Sequence, residues 1–148
     1  MKIYMDVCCL SRPFDDQTQD KIRVETEAVV SLLKRCNTKD DWTLVGGDIV
    51  TIEASNNSDI VKKQKVLLLH DGADEKINYN ETIKTRSEDF RKHNIKSFDS
   101  LHLATAEHAD GDALLSTDKK FENASTRTDA KTRVVNPLTF YLEVLDNE

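Results

Sequence analysis

Short apolar runs alternate along this chain with longer stretches of helical period, and that alternation restricts its fold more than any other feature. The runs are Lys2 to Met5, Trp42 to Val45 and Ala113 to Leu115, with Arg133 to Asn136 as a last strand and Lys76 to Tyr79 as a short extended piece. Between them, Asp20 to Cys36 carries Ile22, Val29, Leu32, Leu33 and Cys36 as an apolar stripe. Glu81 to His93 places Ile83 and Phe90 inward, and Pro137 opens a final helix through Leu145 from a favourable first-turn position. Ser58 is expected to cap a helix running to about His70, with Ile60, Val61, Lys65, Leu68 and Leu69 on its apolar side. Strands alternating with helices make a three-layer α/β/α sandwich around a mainly parallel sheet.

A length of 148 residues suits one domain spanning residues 1–148, large enough to bury about 70% of its unfolded surface. Two prolines and four glycines leave no flexible linker. No apolar run is long enough to span a membrane and no signal-peptide pattern opens the chain, so a cytoplasmic protein is expected. Cys8, Cys9 and Cys36 have neither disulfide nor zinc spacing and are read as buried core thiols.

Four acids stand where chemistry is expected. Asp6 ends the first strand, and Asp118 follows Ala113-Leu114-Leu115-Ser116-Thr117. Glu53 is expected in the first turn of the helix after Leu44-Val45, which Asp48 is expected to cap beyond a strand closed by Gly46-Gly47. Asp99 lies in the first turn of a helix that starts at Ser97 or Phe98, with Leu101, Ala104, Thr105 and His108 continuing the face of Phe98. Taken alone, Asp99 is an N-terminal helix acid. In an open parallel sheet, though, the carboxyl ends of the strands share one edge, where ligands bind. Four carboxylates converging there repel one another unless a cation lies among them, and all-oxygen ligands favour Mg²⁺ or Mn²⁺ over zinc.

With these residues in place, the chain resembles a PIN domain, the small metal-dependent nuclease fold that includes VapC-type toxins. The matching pieces are Ile3-Tyr4-Met5-Asp6, Glu53, Phe98-Asp99-Ser100-Leu101-His102-Leu103-Ala104-Thr105-Ala106, and Leu114-Leu115-Ser116-Thr117-Asp118-Lys119-Lys120-Phe121. The resemblance implies a divalent-metal-dependent ribonuclease that hydrolyses phosphodiester bonds of single-stranded RNA, alone or as the toxin of a toxin–antitoxin pair. It implies Asp6, Glu53, Asp99 and Asp118 as metal ligands and catalytic carboxylates, with Ser116 supporting them from behind. It also implies an antitoxin protein as partner and a homodimer. Family members carry Ser, Thr or Asn one or two places after the first acid; Val7 and Cys8 stand there instead, so a helper hydrogen bond is lacking.

Two rival functions use the same residues. A phosphatase-like phosphoryl-transfer enzyme of the haloacid-dehalogenase type needs a second Asp two places after Asp6, and Cys8 is there. A non-catalytic binding module would not need all four acids. The formal charge of −6 argues against tight binding of long duplexes and suits brief contact with a single strand or a basic partner. Arg12, on the expected loop from Ser11 to Asp20, is read as a surface arginine within reach of a phosphate. Glu25 is read as a packing residue. His102, one turn after Asp99, tempts as a general base, but on a Leu- and Ala-rich helix it is expected to be packed and singly hydrogen-bonded.

Overall fold

Ile3, Tyr4 and Met5 are all buried, and successive strand side chains point to opposite faces, so both sides of their strand are covered. The computed structural model, which describes residues 1–148, places this strand, β1 (Lys2–Met5), at the centre of a five-stranded sheet. The order is β3-β2-β1-β4-β5, with β2 at Thr43–Gly47, β3 at Glu75–Ile77, β4 at Ala113–Leu115 and β5 at Arg133–Val135. Every neighbouring pair is parallel, so the mainly parallel sheet expected from the sequence is wholly so. Eight helices flank it: α1 (Val7–Ser11), α2 (Asp20–Thr38), α3 (Asp48–Ser55), α4 (Ile60–Asp71), α5 (Glu81–Arg91), α6 (Ser97–His108), α7 (Lys119–Ser125) and α8 (Pro137–Asp146). No helix is long and apolar enough to cross a membrane.

The chain steps from β1 outward through β2 to β3, then returns to the opposite side of β1 for β4 and β5. Strand order therefore reverses between β1 and β4. The crevice outside their carboxyl ends is where such sheets bind ligands.

Several local expectations are corrected. The stretch after β1 is not all loop: α1 starts at Val7, and a 3₁₀ turn at Arg12–Phe14 follows it. Gly46 and Gly47 are the last residues of β2 rather than a stop beyond it. Asp48 does not cap α3; it is the first helical residue, and its Oδ2 accepts the Tyr79 N–H at 2.8 Å. Asp59, not Ser58, caps α4 by accepting the Lys62 N–H. The inward residues of α4 are Val66 and His70, while Ile60, Val61 and Leu68 are 60–72% exposed, the reverse of the expected stripe. In α6 the buried positions are Ser100 and the run His102 to Ala106, so this helix is enclosed on most of its circumference and His108 lies outside.

Glu25 is buried and fully partnered, as a packing residue should be. Its Oε1 accepts from Arg12 Nε at 3.0 Å and its Oε2 from Asn136 Nδ2 at 2.6 Å, joining the 3₁₀ turn, α2 and the start of α8. A second buried tie fixes the end of β2, where Gly47 N–H donates to His70 Nε2 at 2.9 Å. Gly46 makes room for that imidazole: a Cβ there would sit 2.3 Å from His70 Nε2. Burial, with Lys76 nearby, holds the His70 pKa below its ordinary value, which keeps the ring neutral and able to accept.

The glycine is thus a consequence of the histidine, and a mutant cycle tests this. Gly46→Ala should cost about 1–3 kcal/mol in unfolding experiments through overpacking. In a His70→Ala background most of that added cost should vanish. An equal cost in both backgrounds would place the constraint elsewhere.

Candidate functional site

The carboxyl ends of β1 and β4 are joined by a single bond, Asp6 N–H to Leu115 O at 3.3 Å, and each strand hands over to a short helix there. Asp6 is the N-cap of α1. Its Oδ1 accepts the Cys9 N–H at 3.0 Å, and the nearby Ser116 side chain favours its charged form. Asp118 is the N-cap of α7, its Oδ1 accepting from the Lys120 and Phe121 N–H groups at 3.0 and 3.3 Å. Ser116, itself buried, accepts the Asp118 N–H on its Oγ at 3.2 Å. One hydroxyl thus lies near both the first acid and the fourth.

Asp99 enters from the first turn of α6. The N-cap of that helix is Lys96, which makes no side-chain cap, and the Asp99 carboxyl makes no hydrogen bond inside the protein. The capping role therefore does not account for it. Its pKa is pushed up to about 6, first by burial and then by Asp6, with Asp118 and Glu53 adding to the rise and His102 opposing it. Asp6 is raised too, because its burial outweighs the lowering by His102, Ser116 and the Cys9 N–H. Glu53 reaches in from α3, held by His102 Nε2 at 2.9 Å from its Oε1.

Fields from all four acids meet at Cys8. Its thiol is pushed up to about 12, first by burial and then by Asp6, Glu53, Asp99 and Asp118. Cys8 is nonetheless an exposed residue at the wall of the crevice, not the core thiol expected from sequence; Cys9 and Cys36 are buried. The two observations agree if the sulfur is walled in while other atoms of the residue reach solvent. A thiol so placed stays protonated and is no nucleophile.

A groove of about 570 Å³ opens beside the acids, lined by Cys8, Glu53, Asn56, Thr117, Arg12 and Lys62 among others. Its two cations are already engaged. Arg12 binds Asp15 and Glu25 at 3.0 Å each, and Lys62 pairs with Asp15. Arg12 is thus a largely enclosed, doubly paired arginine rather than the free surface residue expected. None of the four acids forms an ion pair with Lys or Arg, and His102 is the one basic group in contact with any of them.

The donor set suits a hard divalent cation: four carboxylates, excess negative charge and no protein cation to balance it. The spacing is open, since no three acidic, histidine or cysteine side chains are gathered as a closed metal-binding group. One oxygen each of Asp6, Glu53 and Asp118 is committed to a neighbouring donor.

No protein-family model matches the sequence, and no curated protein does. Among solved structures, a chain in the crystal structure of VapBC2 from Rickettsia felis bound to a DNA fragment from their promoter superposes with a TM-score of 0.57. The match covers 92% of this chain and 98% of that one at 16% sequence identity, a level that speaks to fold alone. The fold is PIN-like.

Two features of the site escape a reading of the sequence. Asp15 gathers Arg12 and Lys62, a contact spanning 47 positions in the case of Lys62. His102 has two partners, not one, because the buried Tyr4 hydroxyl meets its other ring nitrogen. A tyrosine in a continuous apolar strand was the available signal, since a buried Tyr O–H needs a partner.

The raised Asp99 pKa has a definite sign in stability. A carboxyl whose folded pKa lies above its unfolded value binds more protons when folded, so its contribution worsens as pH rises from about 4 to about 6. With EDTA at pH 7, Asp99→Asn should therefore be more stable than wild type, by on the order of 1 kcal/mol after solvent screening. At pH 4 the gain should disappear. Thermal unfolding at both pH values decides, and a mutant that melts lower at pH 7 would make Asp99 a helix-end residue after all.

Proposed function

We propose that the protein is a divalent-metal-dependent ribonuclease that hydrolyses phosphodiester bonds of single-stranded RNA, as the toxin of a toxin–antitoxin pair. The observation that carries this reading is Asp99: a half-buried carboxyl with no hydrogen bond, its proton affinity raised first by burial and then by three other acids, and no lysine or arginine paired with any of them. Mg²⁺ or Mn²⁺, when bound, supplies an activated water and neutralises charge on the attacked and leaving oxygens.

The chain's own residues do the rest. Backbone N–H groups of α1 and α7 hold the Asp6 and Asp118 carboxylates in place beyond the strand ends, and the Ser116 hydroxyl anchors the Asp118 backbone. Glu53 and Asp99 complete the negative wall from α3 and α6. The adjoining groove offers Asn56, Thr117 and the paired Lys62 to a nucleotide next to the scissile phosphate. Because Asp15 and Glu25 already balance the groove's two cations, RNA is held by short-range contacts and released readily, in keeping with the acidic chain.

The likeness to a VapBC2 chain supports an antitoxin as protein partner. A second copy of the chain is the proposed cover for Ile60, Val61 and Leu68, which lie exposed along α4.

Cleavage of a single-stranded RNA oligonucleotide is expected with Mg²⁺ or Mn²⁺ and not with EDTA. Asp6→Asn and Asp99→Asn should each slow it at least ~100-fold, in line with losing several kcal/mol of electrostatic stabilisation. Undiminished cleavage by both variants would move the site elsewhere. In gel filtration, Leu68→Glu should elute as a monomer from a wild type that elutes as a dimer.

A further inference from the structure

Behind Glu53 runs a buried polar chain that none of the chemistry above uses. Tyr4 on β1 and His102 on α6 are both 0% exposed. The Tyr4 hydroxyl oxygen lies 2.5 Å from His102 Nδ1, and His102 Nε2 lies 2.9 Å from Glu53 Oε1. The two rings meet edge to face, with centroids 5.5 Å apart.

Each proton in such a chain can be placed. The Tyr4 hydroxyl has His102 as its one partner, so its proton has one acceptor available, Nδ1. A ring nitrogen that accepts carries no hydrogen. The neutral imidazole then holds its N–H on Nε2 and donates it to the Glu53 carboxylate. In the reverse arrangement Nδ1–H donates to the Tyr4 oxygen and the tyrosine proton is buried with no acceptor, a loss of about 1–3 kcal/mol. Burial, reinforced by Asp6 and Glu53, keeps the Tyr4 pKa well above its ordinary value, so the hydroxyl remains a donor.

We propose that Tyr4 and His102 are a positioning pair: together they fix the Nε2–H tautomer and so hold one oxygen of Glu53, leaving the other to a divalent cation at the groove that Glu53 lines. This rests on the cation-site reading above. It makes the central strand the anchor of an acid that arrives on a different element, and it assigns His102 to holding Glu53 rather than to moving protons. Outer hydrogen bonds of this kind set the orientation and affinity of metal-binding carboxylates.

Two measurements test it. The first uses metal-free wild type: ¹⁵N spectra of the histidine side chains at pH 8 should show His102 protonated on Nε2 alone, with Nδ1 accepting. A proton on Nδ1, or a ring averaging between tautomers, overturns the pair without reference to activity. The second is Mn²⁺ affinity by calorimetry. His102→Leu should weaken binding ~10–100-fold, and His102→Gln, whose amide can donate to Glu53, should recover most of the loss. In a Glu53→Gln background His102→Leu should change little. An equal loss with and without Glu53 overturns the positioning role while leaving the cation site standing. No Mn²⁺ binding by wild type overturns both.

Discussion

Repulsion among carboxylates at one edge of the sheet is the constraint on which the rest of this molecule turns. Two acids follow neighbouring strands and two arrive on helices, and burial weakens the solvent that would otherwise screen them. Isolated, each position has a modest structural explanation, and Asp6 and Asp118 do cap short helices. Their coincidence does not. Helix capping explains Asp6 and Asp118 but not Asp99 and Glu53, whose fields act on them while the nearby lysine and arginine are bound to other acids.

That disposal of cations is as informative as the gathering of anions. Asp15 and Glu25 hold Arg12, and Asp15 also holds Lys62, within the groove beside the site. The groove is thus balanced internally, while the four acids have no lysine or arginine partner, a charge that the proposed cation would balance. His102 is the exception at the boundary, and its contact is with Glu53, carried on the helix after β2.

The fold was legible where burial is continuous on both faces of a strand, because residues such as Ile3 to Met5 and Ala113 to Leu115 then form unbroken apolar runs. Long helices were legible for their period, but their faces were not always. α6 is enclosed on most sides and has no polar stripe to contrast with its apolar one, while α4 leaves Val61 and Leu68 in solvent and turns Val66 and His70 inward. α1 and α7, at five and seven residues, are too short to establish a period. From sequence, Asp6 and Asp118 could be placed after strands and Asp99 at a helix start; Glu53, expected in a first turn, lies toward the far end of the eight-residue α3 because that helix already begins at Asp48. What joins them could not: Tyr4 and His102 are 98 positions apart, and nothing local to either foretells the contact.

The central claim is that Asp99 belongs to a cation site, and its own titration tests this most directly. Carboxyl ¹³C NMR of Asp99, followed against pH with EDTA and then with saturating Mg²⁺, reads the charge environment without relying on turnover. The account expects a midpoint near the raised value of about 6 in EDTA and a fall of more than one pH unit with Mg²⁺. An ordinary midpoint near 4 that Mg²⁺ leaves unmoved would contradict it.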